Sequence, residues 1–287
     1  MSKIGFPKKV LGKTKICDFR FFLKKRAKTI NSQKDLKDFE NIIYFFHLKA
    51  SANLSYMTDK TGFYCVNFKD EDRRNKMTTR FQQLCLPLNF VDHVSNDDVR
   101  LEGVPERVHK RAWSIMLQHM DSIRHFVEDT QNDFCIVMED DILVSKDIVN
   151  DLPGAIETYN KLQLDVLLLG YLIPFKIHDY NPHFPLKERN DKYSYYDFPS
   201  DLWGSQMYMI SRNHAINLLE RYTIEHAIET IETEPFSPDW TLTKYGKRAI
   251  IYPMIAVEEG GTKADLYSES QFHLNCYLTN YVEGLYL

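Results

Sequence analysis

The stretch Phe134-Cys135-Ile136-Val137-Met138-Glu139-Asp140-Asp141-Ile142-Leu143-Val144 sets three consecutive carboxylates between two apolar runs. A short continuous apolar run, preceded by the break Gln131-Asn132-Asp133, predicts a strand buried on both faces, the habit of a central strand in an α/β sheet. In open sheets of that kind ligands bind beyond the carboxyl ends of the strands, and Glu139-Asp140-Asp141 stands where this strand runs out. Unpaired carboxylates are costly to bury, so these are either solvated or neutralised by a cation. Their oxygens suit the hard ions magnesium and manganese, which bridge phosphate oxygens of nucleotides. By itself such a turn is equally at home as solvated surface.

Working outward, strands alternate with helices. Phe63 to Phe68 reads as a buried strand, and the segment KDEDRRNKMTTRFQQL after it (69–84) carries Met77, Phe81 and Leu84 at helical spacing. A second helix is expected from Pro105, with Trp113, Met116, Leu117, Met120, Ile123 and Val127 on its buried side. Downstream, Asp165 to Leu172 and Gln206 to Ile210 read as further strands. Ser211 is placed to cap a helix whose Ala215, Leu218, Leu219 and Tyr222 keep the same period. The stretch from Ile173 to Leu202 shows no clear period and reads as a functional loop. The alternation predicts an α/β sheet covered by helices on both faces.

Composition sets the limits. With 287 residues, 44% hydrophobic and 26% charged, the chain can bury a large core in one or two domains. The longest uncharged run noted, Val166 to Phe175, is far short of the roughly 20 residues of a membrane helix. Five cysteines, Cys17, Cys65, Cys85, Cys135 and Cys276, include no CxxC pair, so a zinc site or disulfide framework is not indicated. With no charged-then-apolar leader and no lumenal retention tetrapeptide at Leu287, a cytoplasmic, reducing location is expected. The net charge of −4 hides an asymmetry: residues 1–50 hold 13 Lys and Arg against 4 Asp and Glu, a net +9 that leaves −13 for the remainder. Residues 1–58 therefore read as a basic extension and 59–287 as the main domain. Within the extension, Phe19, Phe22 and Leu23 share a helical face beside Lys24, Lys25 and Arg26, which suits either packing on the main domain or peripheral contact with an anionic membrane. No nucleic-acid partner is expected.

The order VNFKDEDRRNKM, a helix holding His109-Lys110-Arg111-Ala112-Trp113, IVMEDDILV, DVLLLG and then WGSQMYMISRNHAINLL resembles the family-25 glycosyltransferases, which include bacterial lipooligosaccharide and procollagen galactosyltransferases. The resemblance runs from about Gly62 to Gly260, and the order and spacing of the elements carry it more than any one of them. It implies a GT-A-like (Rossmann-like) mixed sheet, a nucleotide-sugar donor, a divalent metal (Mn2+ or Mg2+) and inversion at the anomeric carbon. By analogy the donor is a UDP-sugar carrying galactose or glucose and the acceptor a glycan or a protein. The lack of secretory signals points to the bacterial-type branch or a virus-encoded relative.

Carried over residue by residue, the resemblance places Asn67 near the nucleoside and Arg73 and Arg74 near phosphate, where paired guanidinium donors fit. Glu139 and Asp141 are implied metal ligands, and Asp140 either assists or holds the turn. His109 falls on a family histidine whose neighbouring cysteine and serine are missing here. An inverting transfer needs a carboxylate base, and Asp239 in EPFSPDWTL matches the family's late aspartate. Its other reading is an N-cap for the residues that follow; Glu258, Glu259 and, less favoured, Asp201 compete for the role. Tyr193, Tyr195, Tyr196, Phe198 and Trp203 are either platforms for sugar rings or packing residues. Two other functions fit parts of the pattern: a sugar-nucleotide pyrophosphorylase, although the segment after the first strand lacks the glycine-rich phosphate loop, and a catalytically silent glycosyltransferase-like scaffold.

Overall fold

Residues 52–56, 58–105, 108–260 and 268–287 are described by the structure, a computed structural model. The basic N-terminal segment and its reading as a membrane-contacting extension lie outside the described residues. Among the described residues no helix is long and apolar enough to cross a membrane.

Strands and helices alternate through the unit Ser55–Leu287. In chain order these are β1 (Thr61–Val66), α1 (Glu71–Leu84), β2 (Asn89–Phe90), α2 (Lys110–Asp129), β3 (Phe134–Glu139), β4 (Ile142–Val144), α3 (Ile148–Leu162), β5 (Val166–Leu172), β6 (Leu186–Arg189), β7 (Ser194–Tyr196), β8 (Trp203–Ser211), α4 (Arg212–Arg221), α5 (Ile224–Glu229), β9 (Arg248–Tyr252), β10 (Ala256–Glu258) and α6 (Ser268–Asn280). Eight strands form one sheet in the order β2-β1-β3-β8-β5-β9-β7-β6, and β10 pairs with β4 in a small separate ribbon. β1, β2, β3, β5 and β9 run parallel, whereas β8 is antiparallel to both its neighbours. One edge of the sheet therefore gathers the carboxyl ends of β1, β3 and β5 and the start of β8. This is the expected α/β class, a mixed sheet covered by helices on both faces.

Side-chain alternation assigns the faces. Phe63 of β1 meets Phe81 of α1 with ring centroids 5.8 Å apart, and Phe134 of β3 meets Tyr159 of α3 at 5.4 Å. On the opposite face Tyr64, Val66, Cys135, Val137, Tyr208 and Ile210 pack with the apolar side of α2 and with Ala215 and Leu218 of α4. The expected periodicity of α1 holds, since Met77, Phe81 and Leu84 are its buried residues. Burying a side chain such as Phe81 contributes about 1.5–3 kcal/mol. Asp70 caps α1, its carboxylate accepting the Arg73 backbone N–H at 2.9 Å, and Ser211 caps α4 in the same manner.

Two expectations are corrected. α2 begins at Lys110 rather than Pro105, because the Pro105 carbonyl closes a turn onto the Val108 N–H and His109 becomes the N-cap residue, without a side-chain capping bond. The segment 173–202 is no structureless loop: β6 and β7 form a hairpin that adds to the sheet through β9. Tyr193, Tyr195, Tyr196 and Phe198 are buried there as packing residues, leaving only Trp203 of the proposed platforms partly exposed.

α2 also buries polar groups. Gln118 donates to the Asn67 carbonyl at 2.9 Å, and His119 Nδ1 lies 3.1 Å from the Tyr208 hydroxyl. Full burial lowers the His119 pKa from 6.5 to about 3. Below pH 6.5 the unfolded chain takes up a proton at this position while the folded chain does not, so stability falls as pH drops. The slope from this one group is up to about 1.4 kcal/mol per pH unit between its unfolded and folded pKa values. Urea unfolding at pH 7 and pH 5 should show a shallower pH dependence for His119→Phe than for wild type; equal slopes would remove His119 as the cause.

Candidate functional site

At the carboxyl end of β3 the three carboxylates separate into different surroundings. Asp140, only 7% exposed, accepts from Asn67 Nδ2 at 2.6 Å on one oxygen and from Arg73 Nη1 at 2.9 Å on the other. Arg73 Nη1 also donates to Asp141 Oδ2 at 3.0 Å, so one guanidinium spans both aspartates. Asn67 Nδ2 makes a second bond, to the Asp70 carbonyl at 2.9 Å, which ties the end of β1 to the start of α1. Both Asp140 oxygens are thus bonded within the protein. Asn67 spends its amide N–H groups inside the protein and organises Asp140 from β1.

Glu139 turns towards β8. It accepts a short hydrogen bond from the Ser205 hydroxyl, and Ser205 N–H in turn donates to Asp239 Oδ1 at 2.9 Å. Asp239 Oδ1 also accepts the Gly204 N–H at 2.7 Å. Burial, followed by the nearby charges of Asp141 and Asp239, raises the Glu139 pKa well above the usual carboxylate range, against the opposing effect of the Ser205 bond. Asp239 does not cap a helix: the residues after it form turns, and its carboxylate instead holds the first residues of β8.

Two of the three competing carboxylates, Glu259 and Glu258, are engaged with other side chains. Glu259 pairs with Arg80, which also donates to the Ile142 carbonyl at 2.8 Å, and lies 3.5 Å from Lys76. Its backbone N–H donates to the Asp141 carbonyl at 2.6 Å, fastening the β10 exit onto the acidic turn. Glu258 lies 2.6 Å from His273 Nδ1. Gly260 lets α6 approach closely, since a Cβ there would lie 2.6 Å from the His273 carbonyl oxygen. Asp201 is exposed and lines a cleft of about 660 Å³ together with Trp203, Phe175, Phe272 and His273.

Glu139, Asp140, Asp141, Asp239, Asn67 and Arg73 are therefore brought together at one sheet edge, although they come from three separate regions of sequence. Arg74 is not among them; its guanidinium lies over the Phe90 ring, 4.1 Å from the centroid, on another side of α1. Ser205, Arg80, Gln118 and His273 are parts of the site that sequence reasoning did not assign. Ser205 lies within the quoted WGSQ element, whereas nothing in the sequence marks His273.

Among the described residues, no group of three or more His, Cys, Asp and Glu side chains forms a ready-made metal cage. The donor chemistry nonetheless fits a hard divalent ion that borrows ligands from its substrate. The charges of Asp141, Asp239 and Glu258 all act on Glu139, and Arg73 bonds directly to both aspartates of the acidic turn. Carboxylate oxygens are the donor type that a hard divalent ion takes when it uses only one or two protein ligands.

No protein-family profile and no curated protein sequence matches the chain. Similar solved structures include a glycosyltransferase involved in glycosylation of the major capsid of PBCV-1, 9% identical, covering 77% of this chain and 100% of that one with a TM-score of 0.42. A197 from STIV is 13% identical, covering 67% and 81% with a TM-score of 0.35. The mannose-1-phosphate geranyltransferase of Thermus thermophilus is 11% identical, covering 66% and 58% with a TM-score of 0.34. Identities of this order say nothing about substrate; the fold class rests on the chain's own sheet order, and function rests on its own residues.

Proposed function

We propose that the protein is a metal-dependent, inverting glycosyltransferase that moves a hexose, galactose or glucose, from a UDP-sugar to a glycan or protein acceptor. The observation that carries this reading is the convergence at one sheet edge of the acidic turn Glu139–Asp141, the guanidinium of Arg73 and the carboxylate of Asp239. The family-25 resemblance supports it, because the quoted elements EDD and WGSQ are those that meet through Ser205.

Glu139 and Asp141 would hold the divalent ion, and Asp140, locked by Asn67 and Arg73, keeps the turn in place. When bound, the ion would supply charge neutralisation for the donor diphosphate. Arg73 stands beside the same position and can exchange a carboxylate for a phosphate oxygen, for which its planar donors are suited. Asp239 takes the proton of the acceptor hydroxyl as that oxygen bonds to the anomeric carbon and the bond from that carbon to the diphosphate breaks. Fixed by two backbone N–H groups, its carboxylate is held in position before the acceptor arrives.

Incubation with a panel of UDP-, GDP-, CMP- and dTDP-sugars, with and without manganese, tests the reading. Metal-stimulated release of UDP from UDP-galactose or UDP-glucose is expected. Formation of sugar phosphate with pyrophosphate present would indicate pyrophosphorylase chemistry instead, and binding without turnover a silent scaffold.

A further inference from the structure

We propose that the cleft walled by Trp203 is a saccharide subsite, so that the acceptor is a glycan whose ring stacks on Trp203. The inference rests on the transferase reading and narrows its acceptor. A sugar ring presents a C–H face that packs on an aromatic plane and a rim of hydroxyls that need polar partners. The cleft supplies both. Trp203, Phe175 and Phe272 give apolar surface, while Asn181, His183 and Asp201 stand along the same lining. At about 660 Å³ it lies within the usual size of small-molecule sites.

Position supports the assignment. β3 carries the acidic turn, with β1 on one side and β8 followed by β5 on the other. Asn67 and Arg73 belong to the β1 side. The cleft belongs to the opposite side, built on the end of β5 and the start of β8. Trp203 directly precedes Gly204 and Ser205, the two residues whose N–H groups hold Asp239. A sugar lying on Trp203 is thereby delivered beside the proposed base, with the donor residues across the acidic turn.

The platform is held before any ligand binds. Trp203 makes edge-on contacts with Trp240, Phe272 and His273, at centroid separations of 6.1, 6.1 and 6.3 Å. Behind it, Lys244 donates to the Leu202 carbonyl and lies 5.5 Å from the Trp240 centroid. Such support lowers the ordering cost of binding. Leu172 and Trp203 are register partners in the sheet, so the floor offers side chains rather than an open strand edge to which an extended peptide could add.

The test follows the indole N–H signals of the three tryptophans, each assigned by Trp→Phe replacement, during titration of the full chain with lactose, maltose, cellobiose and chitobiose. At least one disaccharide is expected to shift the Trp203 signal saturably and leave that of Trp113, buried against Phe236, in place. Trp203→Ala should weaken that binding by about tenfold or more, and Trp203→Phe, which keeps an aromatic face, by no more than about threefold. No Trp203 shift with any of the four sugars, or undiminished binding by folded Trp203→Ala, would overturn the inference. Should Trp203→Ala fail to fold, the wild-type titration decides, since it needs no variant. Donor hydrolysis by the wild type, measured in parallel, separates the two readings. Saccharide binding without hydrolysis keeps the subsite and removes the transferase; hydrolysis without saccharide binding does the reverse.

Discussion

Asp239→Asn should lower glycosyl transfer by about 10²–10⁴-fold, equivalent to about 3–5 kcal/mol of barrier, the usual contribution of positioned proton transfer. Asparagine keeps the shape and an amide oxygen that can still accept the Gly204 and Ser205 N–H groups, but it cannot take the acceptor's proton. Stability should therefore change by less than about 1 kcal/mol in urea unfolding. UDP affinity in the presence of manganese should stay near wild type, because donor binding precedes proton transfer. Normal transfer kinetics would show that Asp239 only anchors β8 and would move the base to Glu258. A loss of UDP affinity would place Asp239 in the donor site instead.

Asp141→Ala should weaken manganese binding in the presence of UDP by about 100-fold or more, roughly 2.7 kcal/mol, since it removes a proposed ligand carboxylate rather than a partner at its edge. Arg73 loses one carboxylate and keeps Asp140 at 2.9 Å, so the turn and the fold should persist. The free manganese signal in electron paramagnetic resonance, titrated with protein at fixed UDP, reads the change directly. Asp140→Asn should do less to the metal and more to the turn, because both Asp140 oxygens are bonded within the protein. Equal manganese affinity in Asp141→Ala and wild type would remove Asp141 from the metal site.

Much of the scaffold was legible because burial writes a period into the sequence. Met77, Phe81 and Leu84 announced α1, and the alternation of strands with helices announced the layers. Sequence points to Pro105 as the start of α2 because proline is favoured in a first helical turn; here the Pro105 carbonyl closes a separate turn and the helix waits for Lys110. The β6–β7 hairpin was hidden by its shortness: strands of four and three residues carry too few alternations to stand out from a loop.

The acidic turn was visible as chemistry, but its division of labour was not. Arg73, Lys76 and Arg80 recur at i, i+3 and i+7, one face of α1, and that face meets Asp141 and Glu259. Arg74 lies one residue further on, about 100° round the helix, which carries it to Phe90. Sequence could have separated the two arginines by that spacing; it could not say which carboxylates the face would meet. Ser205 and Asp239 are joined by a hydrogen bond spanning 34 residues, and His273 reaches Glu258 from a later helix. Such pairings depend on strand order, which local pattern does not encode.

Calorimetric titration of UDP into the wild-type protein, once with manganese and once with EDTA, tests the central claim most directly. The convergence of Glu139, Asp141 and Arg73 predicts saturable binding with manganese and a loss of about tenfold or more in affinity without it. Absence of UDP binding in the presence of manganese, or equal affinity in both titrations, would contradict the account.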